Sequence, residues 1–169
     1  MTPTVYTIGH SNHAIAAFLA LLGSSGIGRV ADVRSLPYSR RWPQFRRPAL
    51  EAALAAAGLD YLWLGDALGG RPRDPEQWQA GRPDYARIAA APAFQAALDR
   101  VVAAAREKPT ALMCAERDPL DCHRFHLLAP PLLARGVDII HVMADGSRET
   151  QGEAAARQAR KDRQGRLFE

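Results

Sequence analysis

The chain is poor in cysteine, with two in 169 residues, and that scarcity excludes a fold held together by disulfides. Cys114 and Cys122 are therefore expected as free thiols in a reducing compartment. No stretch approaches the roughly 20 apolar residues that span a bilayer, so no membrane partner is expected. The opening Met1-Thr-Pro-Thr-Val lacks the basic region and apolar core of a signal peptide, which predicts a cytoplasmic protein. Also missing are a Walker phosphate loop, a helix-turn-helix signature and the two tight ligand pairs of a zinc finger, so sequence-specific DNA reading is not expected. No motif implies a cofactor. The net charge of +4 permits an anionic small molecule or nucleic acid as partner without demanding one.

What is present is enough apolar residue, 47% of the chain, for one core at this length. Short β-prone runs alternate with Ala- and Leu-rich segments of helical period. The runs Val5–Ile8, Val30–Val33, Tyr61–Leu64, Thr110–Met113 and Val137–Val142 predict strands. Helices are predicted over Ala14–Leu22, over Pro48–Ala57 with Gly58 as C-cap, and over Asp84–Glu107 with a break at Pro92. A further helix is expected from near Pro119, capped by Asp118, to Arg135, broken or restarted at Pro130-Pro131. This βαβα pattern predicts an α/β fold: a single-domain three-layer αβα sandwich on a mainly parallel open sheet. Residues 1–146 form that domain in this reading, and 147–169 form a polar helical or flexible C-terminal tail.

Open α/β sheets bind ligands beyond the carboxyl ends of their strands, and polar residues stand at four such ends. His10 and Ser11 follow the first strand, Asp32 and Arg34 close the second, Gly69, Gly70 and Arg71 trail the third, and Cys114 with Glu116 follow the fourth. The fourth junction is the richest, because Cys122, His123 and Arg124 then fall in the first turn of the expected helix, where an anion or thiolate is stabilised. Cys114 is expected as nucleophile or redox-sensitive thiol, its thiolate held by Arg34, Arg124 or the helix. Glu116, His10 and His123 are candidate proton carriers, with Arg34 and Arg124 as anion clamps. The alternative role of Cys114 is a small buried hydrophobe. The loop lacks the phosphatase spacing of Cys, five residues, Arg, since Leu120 occupies that position. A metal, were one bound, would take Cys122 and His126, four apart on one helical face, with Cys114 or His123 as third ligand.

These residues also fall into blocks. Thr7-Ile-Gly-His-Ser11, Asp32-Val-Arg34 with Pro37 and Ser39, Leu68-Gly-Gly-Arg71, and Cys114-Ala-Glu116 followed by Cys122-His-Arg124 run in order between Tyr6 and about His141. Together they resemble the signature blocks of the family called domain of unknown function 488. The resemblance implies a compact bacterial-type α/β domain and sharpens the set of site residues without supplying a reaction.

Two segments stand apart. Between Arg34 and Arg47 five arginines, Arg40 among them, are interleaved with Tyr38, Trp42 and Phe45, a composition suited to phosphate contacts and base stacking or to fastening the loop on the core. At the C-terminus, Gln164, Leu167 and Phe168 resemble the short peptide by which bacterial DNA-processing proteins dock on the sliding clamp. The function expected is thus a cytosolic enzyme with a Cys/Glu/Arg/His site for a nucleotide, nucleic acid or other anionic substrate. The alternative is a non-enzymatic, DNA-associated binding module docked through its tail.

Overall fold

The structure, a computed structural model, describes residues 2–166. In chain order the elements are β1 (Thr4–Gly9), α1 (Ile15–Ser24), β2 (Arg29–Asp32), α2 (Arg47–Ala56), β3 (Asp60–Trp63), α3 (Gly65–Leu68), the small hairpin β4 (Trp78–Gln79) and β5 (Arg82–Pro83), α4 (Tyr85–Ala90), α5 (Pro92–Glu107), β6 (Thr110–Cys114), α6 (Ala129–Ala134), β7 (Asp138–Val142), β8 (Arg148–Thr150) and α7 (Gln151–Arg166). The expected break at Pro92 is present: Asp84 caps the start of α4 by accepting from the N–H groups of Ala86 and Arg87, and after an extended Ala91, Pro92 opens α5 as a separate helix.

The six-stranded sheet has the order β3-β2-β6-β1-β7-β8, parallel except for β8. Alternation along the strands builds two cores. Ile8, Val30, Ala111 and Met113 pack with Phe18 and Leu22 of α1 and Leu50 and Leu54 of α2 on one face. Val5, Ala31, Leu112 and Cys114 pack with Leu98 and Val101 of α5 and Leu132 of α6 on the other. The layers are α/β/α, as periodicity predicts.

This strand order places a crevice. The chain leaves β2 toward β3 through α2 on one face, and leaves β6 toward β7 through α6 on the other. The connections diverge from neighbouring strands, so the carboxyl ends of β2 and β6 flank an opening at the topological switch point.

Two expectations need correction. The helix expected from Pro119 is a single 3₁₀ turn, Pro119–Asp121, after which Cys122 returns to extended backbone (φ −135°, ψ 151°). Helical winding resumes as a π turn over Arg124–Leu128 that runs into α6, with Pro130 and Pro131 in the first turn of α6. Cys122 therefore precedes a helix instead of lying inside one. The residues after 146 include a strand unforeseen from sequence: β8 pairs antiparallel with β7. The helix α7 that follows buries Ala154, and its Arg157 bridges Asp118 (2.6 Å) and Glu149 (2.8 Å).

Candidate functional site

Cys114 ends β6 in register with Gly9 of β1, and the ladder continues past both strands: His10 N–H donates to Cys114 O (2.8 Å) and Ser11 N–H to Ala115 O (3.0 Å). A side chain at Gly9 would collide with the carbonyl of Glu116, so glycine is what lets the two strand ends close up. The turn after β6 then brings Cys122 and His123 back to Cys114. Sγ of Cys114 lies 3.5 Å and Sγ of Cys122 3.6 Å from His123 Nδ1. All three residues are buried.

The far side of the His123 ring fixes its orientation. Nε2 lies 3.1 Å from the carbonyl of Val33, which only accepts, so Nε2 carries a proton and Nδ1 is the ring nitrogen that faces both sulfurs. Gly70 packs on this ring, and a Cβ there would come within 2.9 Å of His123 Cβ and Cγ.

Arg124, 1% exposed, donates from Nε to Cys122 Sγ (3.2 Å), from NH2 to Glu116 O (2.7 Å) and from NH1 to Thr7 Oγ1 (3.4 Å). Its backbone N–H adds a further contact to Cys122 Sγ (3.5 Å). The two thiols consequently separate. Burial pushes Cys122 up, but the neighbouring Cys114 and His123 and the charge of Arg124 outweigh it and draw its pKa well below that of a free thiol. The neighbouring Cys122, burial, and the charge of Glu116 push Cys114 up. Arg124 therefore favours ionisation of Cys122 over that of Cys114, the thiol to which the sequence points. The reason is the extended backbone at Cys122, which aims Sγ at the Arg124 guanidinium. Cys114 instead donates to Glu116 Oε2 (2.6 Å).

Arg34 and Asp32, at the mouth of β2, form a buried bidentate pair (Nε–Oδ1 2.9 Å, NH2–Oδ2 2.7 Å). Arg34 also donates to Phe45 O (2.8 Å) and toward His10 Nε2 (3.3 Å), and Tyr61 Oη donates to Asp32 Oδ2 (2.8 Å). His10 Nδ1 donates to Ser11 O (2.9 Å), and the ring stacks on Phe45 at 4.3 Å. Burial and the Arg34 charge hold His10 down to about 4, hence neutral at physiological pH.

The predicted residues sort into four places. Arg34, Gly70, Arg71, Cys114, Glu116 and His123 line a cleft of about 750 Å³ at the switch point, together with Cys122. His10 and Ser11 line a neighbouring cleft of about 390 Å³ that shares Tyr38 and Ala115 with the first. Asp32, Gly69 and Arg124 lie buried behind these surfaces, with Gly69 held so close to Ser35 that a side chain would strike its hydroxyl. Arg40 is exposed and lines neither cleft. His126 does not join the sulfurs. Its Nε2 bonds Leu120 O (2.6 Å), because the π turn carries it off the face that four-residue spacing assigns it, and His123 takes its place beside Cys114 and Cys122.

In the arginine-aromatic loop, Arg46 lies over Tyr38 (4.7 Å) and Arg47 over Trp63 (5.4 Å), while Phe45 is buried. These contacts fasten the loop. Gln164 is exposed near the end of α7, and Leu167 and Phe168 lie outside the described residues. Sequence reasoning missed Arg73 and Tyr85, which also line the large cleft. Arg73 carries a weak signal, an arginine spaced like Arg71 in a Gly/Pro loop. Tyr85 carries none beyond its place at the start of α4.

Residues 14–129 match the family described as Domain of unknown function DUF488. No curated protein and no solved structure matches the chain. The match takes in the Asp32, Gly69–Arg71 and Cys114–Arg124 blocks and leaves the Thr7–Ser11 block just outside. Covering most of the sequence, it shows that the chain belongs to the DUF488 family.

Proposed function

We propose that the chain is an enzyme whose active site is the switch-point cleft, acting by group transfer or hydrolysis on an anionic substrate of the nucleotide or phosphoester class. One observation carries this reading: two thiols, an imidazole and a carboxylate converge on a cleft that also holds two exposed arginines, Arg71 and Arg73. Among the described residues neither of those guanidinium groups takes part in a salt bridge, whereas Arg34 is consumed by Asp32. Arg71 and Arg73 therefore hold the anion, the sulfur–imidazole cluster forms the reactive centre, and Glu116 carries protons.

The test is turnover of a panel of nucleotides and nitrophenyl phosphate esters, with calorimetry of inorganic phosphate alongside. Glu116→Gln should lower kcat by about 10²–10⁴-fold, the usual contribution of a positioned acid–base group. Arg71→Ala should weaken phosphate binding by about 1.5–3 kcal/mol, the scale of a charge-assisted hydrogen bond. Absence of turnover across the panel, with phosphate affinity equal in wild type and Arg71→Ala, would overturn the reading.

A further inference from the structure

We infer that Cys114, Cys122 and His123 form a mononuclear zinc site with its fourth position open to the cleft. The inference deepens the reading of the cleft as an active site, on which it rests, by naming the group at its centre.

Two edges of the cluster have tetrahedral length. Zinc bound at about 2.3 Å to sulfur and about 2.0–2.1 Å to imidazole nitrogen places those ligand atoms about 3.5 Å apart. The two observed Nδ1–Sγ distances are 3.5 and 3.6 Å, and the three ligand atoms all lie within 4.8 Å of one another. The imidazole is already turned for the task. A metal-binding histidine usually donates its other ring N–H to a carbonyl or carboxylate, and His123 donates to Val33 O. Donor softness selects the ion, since two thiolates and an imidazole in tetrahedral array favour zinc over the oxygen-seeking Mg²⁺ and Ca²⁺.

The surroundings complete the charge balance. A divalent cation matches the two thiolates, Arg124 donates to Cys122 Sγ and tempers its charge, and the Glu116 carboxylate stands beside Cys114 on the cleft side. Binding replaces the thiol protons, which leave to solvent. Three protein ligands with one position free is the arrangement of catalytic zinc, and the free position is where a water or substrate oxygen binds. The ligands are also rigidly held: Cys114 ends a central strand, and Gly70 leaves no slack behind the His123 ring.

The experiment uses the full chain purified without chelators. Elemental analysis should find close to one zinc per chain, and cobalt substitution should give the sulfur-to-metal charge-transfer band and intense visible absorption of a tetrahedral thiolate site. Loss of an outer partner costs about 10–100-fold in metal affinity, so Cys114→Ser, Cys122→Ser and His123→Ala should each lose more than about a hundredfold. His126→Ala should bind like wild type. Should a ligand variant fail to fold, the cobalt spectrum of wild type still decides. Both thiols reacting freely in the native protein, with cobalt giving only the pale spectrum of an octahedral aquo ion, would overturn the site. Stoichiometric tetrahedral cobalt with no turnover of any substrate would uphold the metal and sink the enzymatic reading. Undiminished turnover by zinc-free protein would overturn the metal site as the reactive centre and leave that reading standing.

Discussion

Replacing Arg34 by Met tests whether this arginine is a structural group or a substrate clamp. Its guanidinium sits 5% exposed against the fully buried Asp32 carboxylate, with two direct hydrogen bonds to it and another to Phe45 O. Removing it leaves Asp32 charged in the interior with only the Tyr61 hydroxyl (2.8 Å) and the backbone N–H of residue 34 (3.1 Å) as partners. Breaking a buried ion pair from one side costs about 3–5 kcal/mol, because the remaining charge is uncompensated. That is a large part of the roughly 5–15 kcal/mol by which a domain is stable. A chain of this size loses roughly 2–4 °C in Tm per kcal/mol, so the midpoint should fall by about 6–20 °C. Thermal unfolding by circular dichroism, with urea titration for the free energy, reads this directly. Adding Asp32→Asn to Arg34→Met should cost less than the two single changes summed, by about 1–3 kcal/mol, since each removes the other's unpaired charge. A variant melting within about 2 °C of wild type while losing phosphate binding would refute the reasoning and make Arg34 the anion clamp after all.

Acid should destabilise the fold through His10. Its folded pKa of about 4 lies below the ordinary 6.5, so the unfolded chain takes up the proton first; the stabilisation is intact above 6.5 and is lost as pH falls toward 4. Between neutral pH and about pH 4.5 the loss from this group is roughly 2–3 kcal/mol, and urea midpoints of His10→Phe should show that much less acid sensitivity than wild type. Gly70→Ala should displace the His123 ring, which a Cβ would approach to 2.9 Å, and so weaken cobalt binding at least tenfold, by about the effect of an outer-shell change, with a stability loss under about 2 kcal/mol; unchanged cobalt affinity would show that the ring has room to move. Arg157→Ala should cost about 1–2 kcal/mol by removing the link between Asp118 and Glu149, and hydrogen exchange over α7 should quicken; equal exchange would mean that the Ala154 contact holds the helix alone.

Strands and helices were legible along the chain because their causes are local. The short apolar run Thr110–Cys114, the Asp84 cap and the proline at 92 act within a few residues, and the structure places elements where those signals stand. The concentration of polar residues at strand ends was legible for the same reason, since once a parallel sheet is granted, its carboxyl edge follows from direction alone.

Tertiary structure decided the rest. Asp118-Pro119 is a sound helix start by local rules, yet one 3₁₀ turn satisfies the cap, and Cys122 turns extended beside an Arg124 guanidinium that reaches Thr7 and Glu116 O. Those partners are 117 and 8 residues away in sequence, so no window along the chain reports them. Which thiol ionises, and which histidine stands beside the sulfurs, hang on that same turn. The polar segment after residue 146 likewise reads as a tail when only its own composition is counted. What ties it down is pairing with β7 and the bridge from Arg157 to Asp118, interactions whose strength depends on groups brought close only when the sheet has formed.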